Sequence, residues 1–153
     1  MCVLKILFRF KLCTYPDLYS EEVITIVSLM TGDSPLVTPP GKRSEALASR
    51  IQFTSSEGDH ISLLKIFRAF TKTSNEKEFC NAHYLHRRHL QFAQEVRKQL
   101  IGLCQKNEIP IQSCVNHTEL VRQALAEGMF TNVARLTREG HYVSVSEMCT
   151  LAK

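Results

Sequence analysis

The sequence predicts a mainly α-helical bundle followed by a short, incomplete β segment. Three observations carry this expectation. Apolar residues recur at helical spacing through most of the chain, capping residues and Gly or Pro stops divide those stretches, and near Val133 the pattern changes to that of two short strands. With 153 residues, 44% of them hydrophobic, the chain is long enough to bury one ordinary core. It is not a disordered tail. Lys and Arg outnumber Asp and Glu by 19 to 15, a formal net charge of +4. That excess permits contact with nucleic acid without requiring it.

The opening stretch from Met1 to Cys13 is apolar but interrupted by Lys5, Arg9 and Lys11. It is shorter than the roughly 20 residues of a spanning helix, and its interspersed charges do not fit a signal peptide, so no membrane anchor is expected. Ile6, Phe8, Phe10 and Leu12 alternate, which suits an edge strand or a packed arm as well as a helical turn. The first clear helix covers about Glu21 to Met30. Ser20 is placed to cap it, Glu21 and Glu22 suit its positive end, and Val23, Ile24, Ile26, Val27, Leu29 and Met30 make it apolar nearly all round. It should be deeply buried.

Gly32, Pro35, Pro39, Pro40 and Gly41 make Thr31 to Lys42 an ordered loop, and a short helix follows near Ser44 to Phe53. Gly58-Asp59-His60 punctuates the chain next. Asp59 is expected to cap a helix through Phe70 that carries Ile61, Leu64 and Phe67 on one face. Asn75 with Glu78 forms a start like a capping box for a helix bearing Phe79, Cys80 and Tyr84. The longest helix runs from about Arg87 to Lys106, with Leu90, Ala93, Val96, Leu100, Leu103 and Cys104 as its apolar stripe. Pro110 closes that region. Asn116 and Glu119 start a further helix through Leu120, Val121, Leu125 and Ala126 to a stop at Gly128. Phe130, Val133 and Arg135, then Tyr142 to Val145 after Gly140, suggest two strands around a turn. Two strands alone are marginal at best.

Catalytic motifs are lacking. Gly41-Lys42-Arg43-Ser44 is the nearest approach to a phosphate loop, but Leu36 replaces the first glycine and Arg43 replaces the Ser or Thr, so it reads as a solvated loop. No nucleophile elbow, H-E-x-x-H pair or dinucleotide fingerprint is present. The six cysteines, Cys2, Cys13, Cys80, Cys104, Cys114 and Cys149, contain no C-x-x-C pair, which argues against a zinc ribbon. A chain able to build its own core needs no disulfide framework and shows no secretory signal, so a reduced intracellular compartment is expected.

Cys80, His83, His86 and His89 stand three apart and suggest a metal site. A three-residue step drifts around a helix, and Arg87 and Arg88 would repel a cation. A buried Cys80 with surface histidines is the better reading, and no metal is expected. His86-Arg87-Arg88-His89, continued along the long helix by Gln91, Lys98 and Lys106, form a strip suited to phosphates, although Glu95 interrupts it and a solvated charged face is the competing reading.

Ser20-Glu21-Glu22-Val23-Ile24-Thr25-Ile26-Val27-Ser28-Leu29, Pro39-Pro40, Phe53 with Ser55 to His60, Leu63-Leu64, Phe79-Cys80, and Glu95-Val96-Arg97 with Gln99-Leu100 resemble, in order and spacing, the region after the motor domains of DEAH-box RNA helicases. Ala126 to Leu136, with Gly140 and Tyr142, resembles the start of that family's OB fold. Phe79 stands where the family usually has Trp, and His86 where Asn is common, which blurs the subfamily. The resemblance implies the end of a winged helix, a ratchet or helicase-associated bundle, and part of an OB fold. In those terms residues 1–19 are a divergent arm, 20–112 the bundle, and 113–153 a linking helix with the first OB strands.

The resemblance further implies an accessory segment that contacts RNA in RNA processing, without the ATPase motor. ATP and Mg belong to the parent family's motor domains, and no cofactor is expected in this chain. Candidate RNA-binding residues are Arg87, Arg88, Gln91, Lys98 and Arg135; Gly58, Asp59, Phe79 and Cys80 are expected to be structural. Expected partners are single-stranded RNA, bound without sequence preference, and helicase motor domains or activator proteins. Family habit points to the nucleus or nucleolus, with the cytoplasm as an alternative. A truncated, spliced or partial product is implied by the missing motor motifs and by the tail from Ser146 to Lys153. The competing functions are an interaction module or decoy for helicase partners, and a small metal-dependent enzyme on Cys80, His83 and His86.

Overall fold

The computed structural model describes residues 20–114, 117–129 and 132–144. Helix α1, Ser20–Thr31, is the central rod. Val23, Ile24, Ile26, Val27 and Leu29 are all buried, and so are its polar residues Glu22, Thr25 and Ser28. The hydroxyls cost little there because each turns back to its own helix: Thr25 Oγ1 donates to the Glu21 carbonyl at 2.8 Å and Ser28 Oγ to Ile24 at 2.9 Å. Glu22 needs partners from elsewhere. Arg68 Nη2 and Ser113 Oγ each lie 2.5 Å from Glu22 Oε1, and the Cys114 amide donates to Oε2 at 3.1 Å.

Helix α2, Arg43–Arg50, runs into a single 3-10 turn, Ile51–Phe53. Helix α3, Asp59–Lys72, buries Ile61, Leu64, Ile66, Phe67 and Phe70. Helix α4, Glu76–Ala82, leads through a short connection into helix α5, Arg87–Lys106. Helix α6, Thr118–Gly128, buries Val121, Ala124 and Leu125. Around α1 pack α5, α3 and α6. Apolar side chains from these helices form two clusters. One joins α1, α3, α5, α6 and Cys114; the other joins Leu29, the far half of α3, Cys80, Leu85, Leu90 and Ala93. Strands β1, Ala134–Leu136, and β2, Tyr142–Ser144, pair antiparallel with Arg135 opposite Val143. The fold is therefore mainly helical with a terminal two-stranded sheet, as the pattern of residues predicts.

Several local expectations need correction. Gly58, with φ +113°, occupies the N-cap of α3, and Asp59 is the first helical residue, so its carboxylate adds charge to the first turn without capping it. No side-chain cap bond replaces it; Ser62 instead ties the preceding loop to the first turn, its hydroxyl donating to the Gly58 carbonyl at 3.2 Å and accepting from the Ser55 amide at 2.9 Å. Leu103 is 37% exposed, outside the apolar stripe completed by Leu100 and Cys104. Helix α6 begins at Thr118 after His117, which makes no side-chain cap bond. The expected cap Asn116 lies outside the described residues, as do the N-terminal arm, Phe130, Val145 and the tail from Ser146. No helix among the described residues is long and apolar enough to cross a membrane.

Candidate nucleic-acid interface

The connection between α4 and α5 is clipped to the loop after α1. Leu36 and Leu85 form an antiparallel bridge, the Val37 amide donates to the Tyr84 carbonyl at 2.9 Å, and the His86 amide donates to Pro35 at 2.8 Å. Arg50, buried at the end of α2, donates from one nitrogen to the carbonyls of Val37 and Tyr84 at 3.2 and 3.3 Å. These bonds hold Tyr84 at φ +51°, a left-handed conformation that costs a bulky residue roughly 1–2 kcal/mol. Its hydroxyl donates to Glu45 at 2.9 Å, and that bond raises the phenol's pKa.

Beside this clip lies a cleft of about 560 Å³ lined by Val37, Lys77, Cys80, Asn81, Leu85, His86, Arg87 and Arg88. Its floor is apolar and its rim is basic. Lys77 comes from the first turn of α4, while Arg87 and Arg88 open α5; all three are exposed, and none forms a salt bridge among the described residues. The free amides at the start of α5 add the positive end of a long helix to the same cleft. Such an arrangement can hold an anionic backbone and does not distinguish bases. Burial pushes the Cys80 thiol up, Glu76 adds to that rise and Arg87 opposes it, which suits a packed residue in the floor.

The expected strip is only partly assembled. Arg87 and Arg88 meet at the cleft, but the Gln91 amide is committed to Glu76 Oε2 at 2.7 Å. Lys98 pairs with Glu95 at 3.0 Å further along α5, and Arg135 sits exposed on β1, outside the lining of the cleft. Lys77 was not foreseen. Its contribution depends on how α4 folds back against α5, and no local pattern in the sequence reports that.

The Cys80 to His89 run disperses to separate partners. Cys80 faces the second core cluster. His83 Nδ1 lies 2.8 Å from the Ser49 carbonyl, so it must carry the proton, and its ring packs edge-on against Phe53 and Phe79 at 5.1 and 4.8 Å. His86 stacks on His89 at 4.2 Å, and His89 Nδ1 reaches the Ser34 carbonyl at 3.1 Å. Among the described residues, no group of three or more potential ligands is placed to hold a metal ion. In the Gly41–Ser44 stretch, Lys42 lies 3.8 Å from Glu45 and Arg43 starts α2, so these residues do not fit a nucleotide's phosphates. Phe79 edges against Phe53 and sits near Phe70, at 6.0 and 6.3 Å, between α3 and α4.

Comparison with curated proteins finds ATP-dependent RNA helicases among the relatives. The chain is 40% identical over 125 residues to ATP-dependent RNA helicase DHX33 of Mus musculus, covering 82% of this chain and 18% of the relative. It is 36% identical over 129 residues to the pre-mRNA-splicing factor ATP-dependent RNA helicase prp22 of Schizosaccharomyces pombe, covering 84% and 11%. To the probable ATP-dependent RNA helicase DHX35 of Homo sapiens it is 32% identical over 128 residues, covering 84% and 18%. The chain thus spans less than a fifth of the length of these curated relatives. No protein-family model matches it.

Proposed function

The chain belongs to the DEAH-box ATP-dependent RNA helicases, and from that premise we propose that its bundle is an accessory wall contacting single-stranded RNA through the Lys77–Arg87–Arg88 cleft. The observation that carries this reading is the set of three cations around one depression, at the start of the 20-residue helix α5, that form no salt bridge among the described residues. Phosphates would be held without base preference. The bundle corresponds in this reading to the family's ratchet or helicase-associated domain, with β1 and β2 as the first strands of an OB fold. ATP hydrolysis with Mg belongs to motor segments of the parent family, and those segments or activator proteins are the proposed protein partners. Work in RNA processing in the nucleus or nucleolus follows from the same family reading.

The experiment is a titration of labelled single-stranded RNA with the purified chain at low and moderate salt, beside the Arg87→Glu, Arg88→Glu double variant. Binding that weakens with salt and is largely lost in the variant supports the interface. Folded protein that binds no RNA at low salt sinks it. A second reading, a protein-interaction module or decoy, draws on Val133, Leu136 and Tyr142, which are 47%, 55% and 72% exposed around the hairpin. Salt-insensitive capture of a helicase motor or activator, without RNA binding, would favour it.

A further inference from the structure

Phe92 stands one helical turn beyond Arg88 on α5, so the two side chains project from the same face. The phenyl ring is 51% exposed and belongs to neither core cluster. Among the described residues it joins no aromatic pair. Its position is nonetheless fixed on one side. The ring atoms Cδ1 and Cε1 rest over Gly32, where an added methyl group would lie only 3.1 and 3.3 Å away. The absent side chain at Gly32 therefore makes the seat for the ring, and about half of the ring remains open to solvent.

Single exposed apolar residues are ordinary on protein surfaces. What sets this one apart is the combination of an anchored edge, an open remainder, and, one turn away at the mouth of a basic cleft, an arginine without an ion pair among the described residues. A single-stranded nucleic acid held at the arginines by its phosphates carries unstacked bases, and a fixed aromatic ring offers any base a surface to stack on.

We propose that Phe92 is a base-stacking residue, seated on Gly32 beside Arg88, which receives a nucleobase of single-stranded RNA whose backbone lies in the Lys77–Arg87–Arg88 cleft. This rests on the interface reading above and extends it from phosphate to base. The stacking is indifferent to base identity, because every base has a π-face. Phe92 thereby supplies affinity and register along the strand without sequence choice.

The test uses the whole chain, a single-stranded RNA carrying 2-aminopurine, and heparin as a polyanion without bases. Phe92→Ala is expected to weaken RNA binding by about fivefold to a hundredfold, the range for losing one stacked base, and to abolish 2-aminopurine quenching. Heparin binding should be unchanged in Phe92→Ala and reduced in the Arg87→Glu, Arg88→Glu variant. Phe92→Tyr should retain RNA affinity and quenching, while Phe92→Leu, which keeps apolar bulk without a π-face, should lose both. Undiminished RNA binding by Phe92→Ala or Phe92→Leu overturns the proposal and leaves the phosphate interface standing. Equal loss of heparin and RNA binding also overturns it, because the residue would then be supporting the cleft. If the wild-type chain binds heparin but not RNA, or neither, the interface reading falls and this one falls with it; a protein ligand would then be sought for the same face. Should Phe92→Ala prove unfolded, the comparison of Tyr with Leu decides.

Discussion

Arg68 of α3 reaches a carboxylate whose side chain has no solvent exposure: its Nη2 lies 2.5 Å from Glu22 Oε1 on α1. The same oxygen accepts from Ser113, and the other from the Cys114 amide, so one buried charge joins α1, α3 and the segment before α6. Burial alone would push the Glu22 carboxyl up; the bonds from Ser113, Cys114 and its own amide, with the Arg68 charge, reverse that and leave its pKa below the ordinary value.

Glu22→Gln keeps the shape and removes the charge. It is expected to destabilise the chain by about 1–3 kcal/mol, because Arg68 is 42% exposed and water partly replaces the lost partner. Urea denaturation at neutral pH measures it. An unchanged midpoint would mean that the amide satisfies Ser113 and Cys114 as well as the carboxylate does.

The pH dependence follows from the direction of the shift. A carboxyl whose folded pKa is depressed adds stability above its unfolded pKa, and that stability disappears as pH falls through the folded value. Wild type should therefore lose its advantage over Glu22→Gln progressively on acidification below the ordinary glutamate range. Chemical denaturation of both proteins from neutral pH downward should show the two midpoints converging. Curves that stay parallel would assign the acid sensitivity to other carboxylates.

Asn75 caps α4 as the sequence predicts, accepting from the Glu78 amide at 3.2 Å. The return bond is a variation: the Asn75 side-chain amide donates to the Glu78 carboxylate at 2.9 Å. Asn75→Ala should cost about 1 kcal/mol, the usual value for a lost cap, and also loosen Lys77 at the cleft. Thermal unfolding and RNA titration of the same variant would separate the two effects.

The C-terminal end of α5 carries Glu108 at φ +54°, just after the C-cap Asn107, with the Ile109 amide donating back to Cys104 at 2.9 Å. Glycine is the usual residue at such a left-handed helix end. Glu108→Gly is expected to stabilise the chain by about 0.5–1 kcal/mol, relief of backbone strain outweighing the added freedom of the unfolded chain. A lower melting temperature would show that the carboxylate makes a compensating interaction in solution.

Leu100 and Leu103 test the burial assignment within one helix. Leu100→Ala should cost about 2–5 kcal/mol as a core truncation, whereas Leu103→Ala should stay within about 0.5 kcal/mol because the side chain is already partly solvated. Similar losses at both sites would place Leu103 in a buried interface.

These contrasts show what was legible in the chain before folding. The limits of α5, the Asn75 cap and the burial of α1 are written in local spacing, and the sequence alone predicts them. Of the candidate site, Arg87 and Arg88 were legible as a cationic pair because they are adjacent in the chain, and both line the cleft. Glu22 reads from its neighbours as an ordinary acid at a helix start, since Arg68 and Ser113 reach it only across the fold. Lys77 joins the cleft, and Gln91 is lost to Glu76, for the same reason. Asp59 failed as a cap because Gly58 alone suits the φ of +113° at that position.

The clip between Pro35–Val37 and Tyr84–His86 also sets where the chain can be cut. A protease needs a stretch of backbone it can draw into extended form, and here the carbonyls of Pro35, Val37 and Tyr84 are all engaged, two of them by the buried Arg50. The proline-rich loop should therefore resist digestion around residues 35–37 despite its composition. The exposed turn at Arg138 is closed only by bonds local to the two-stranded hairpin, from the Thr137 amide to His141 and from the Gly140 amide to Thr137, so among the described residues brief trypsin treatment should nick it before the helical bundle.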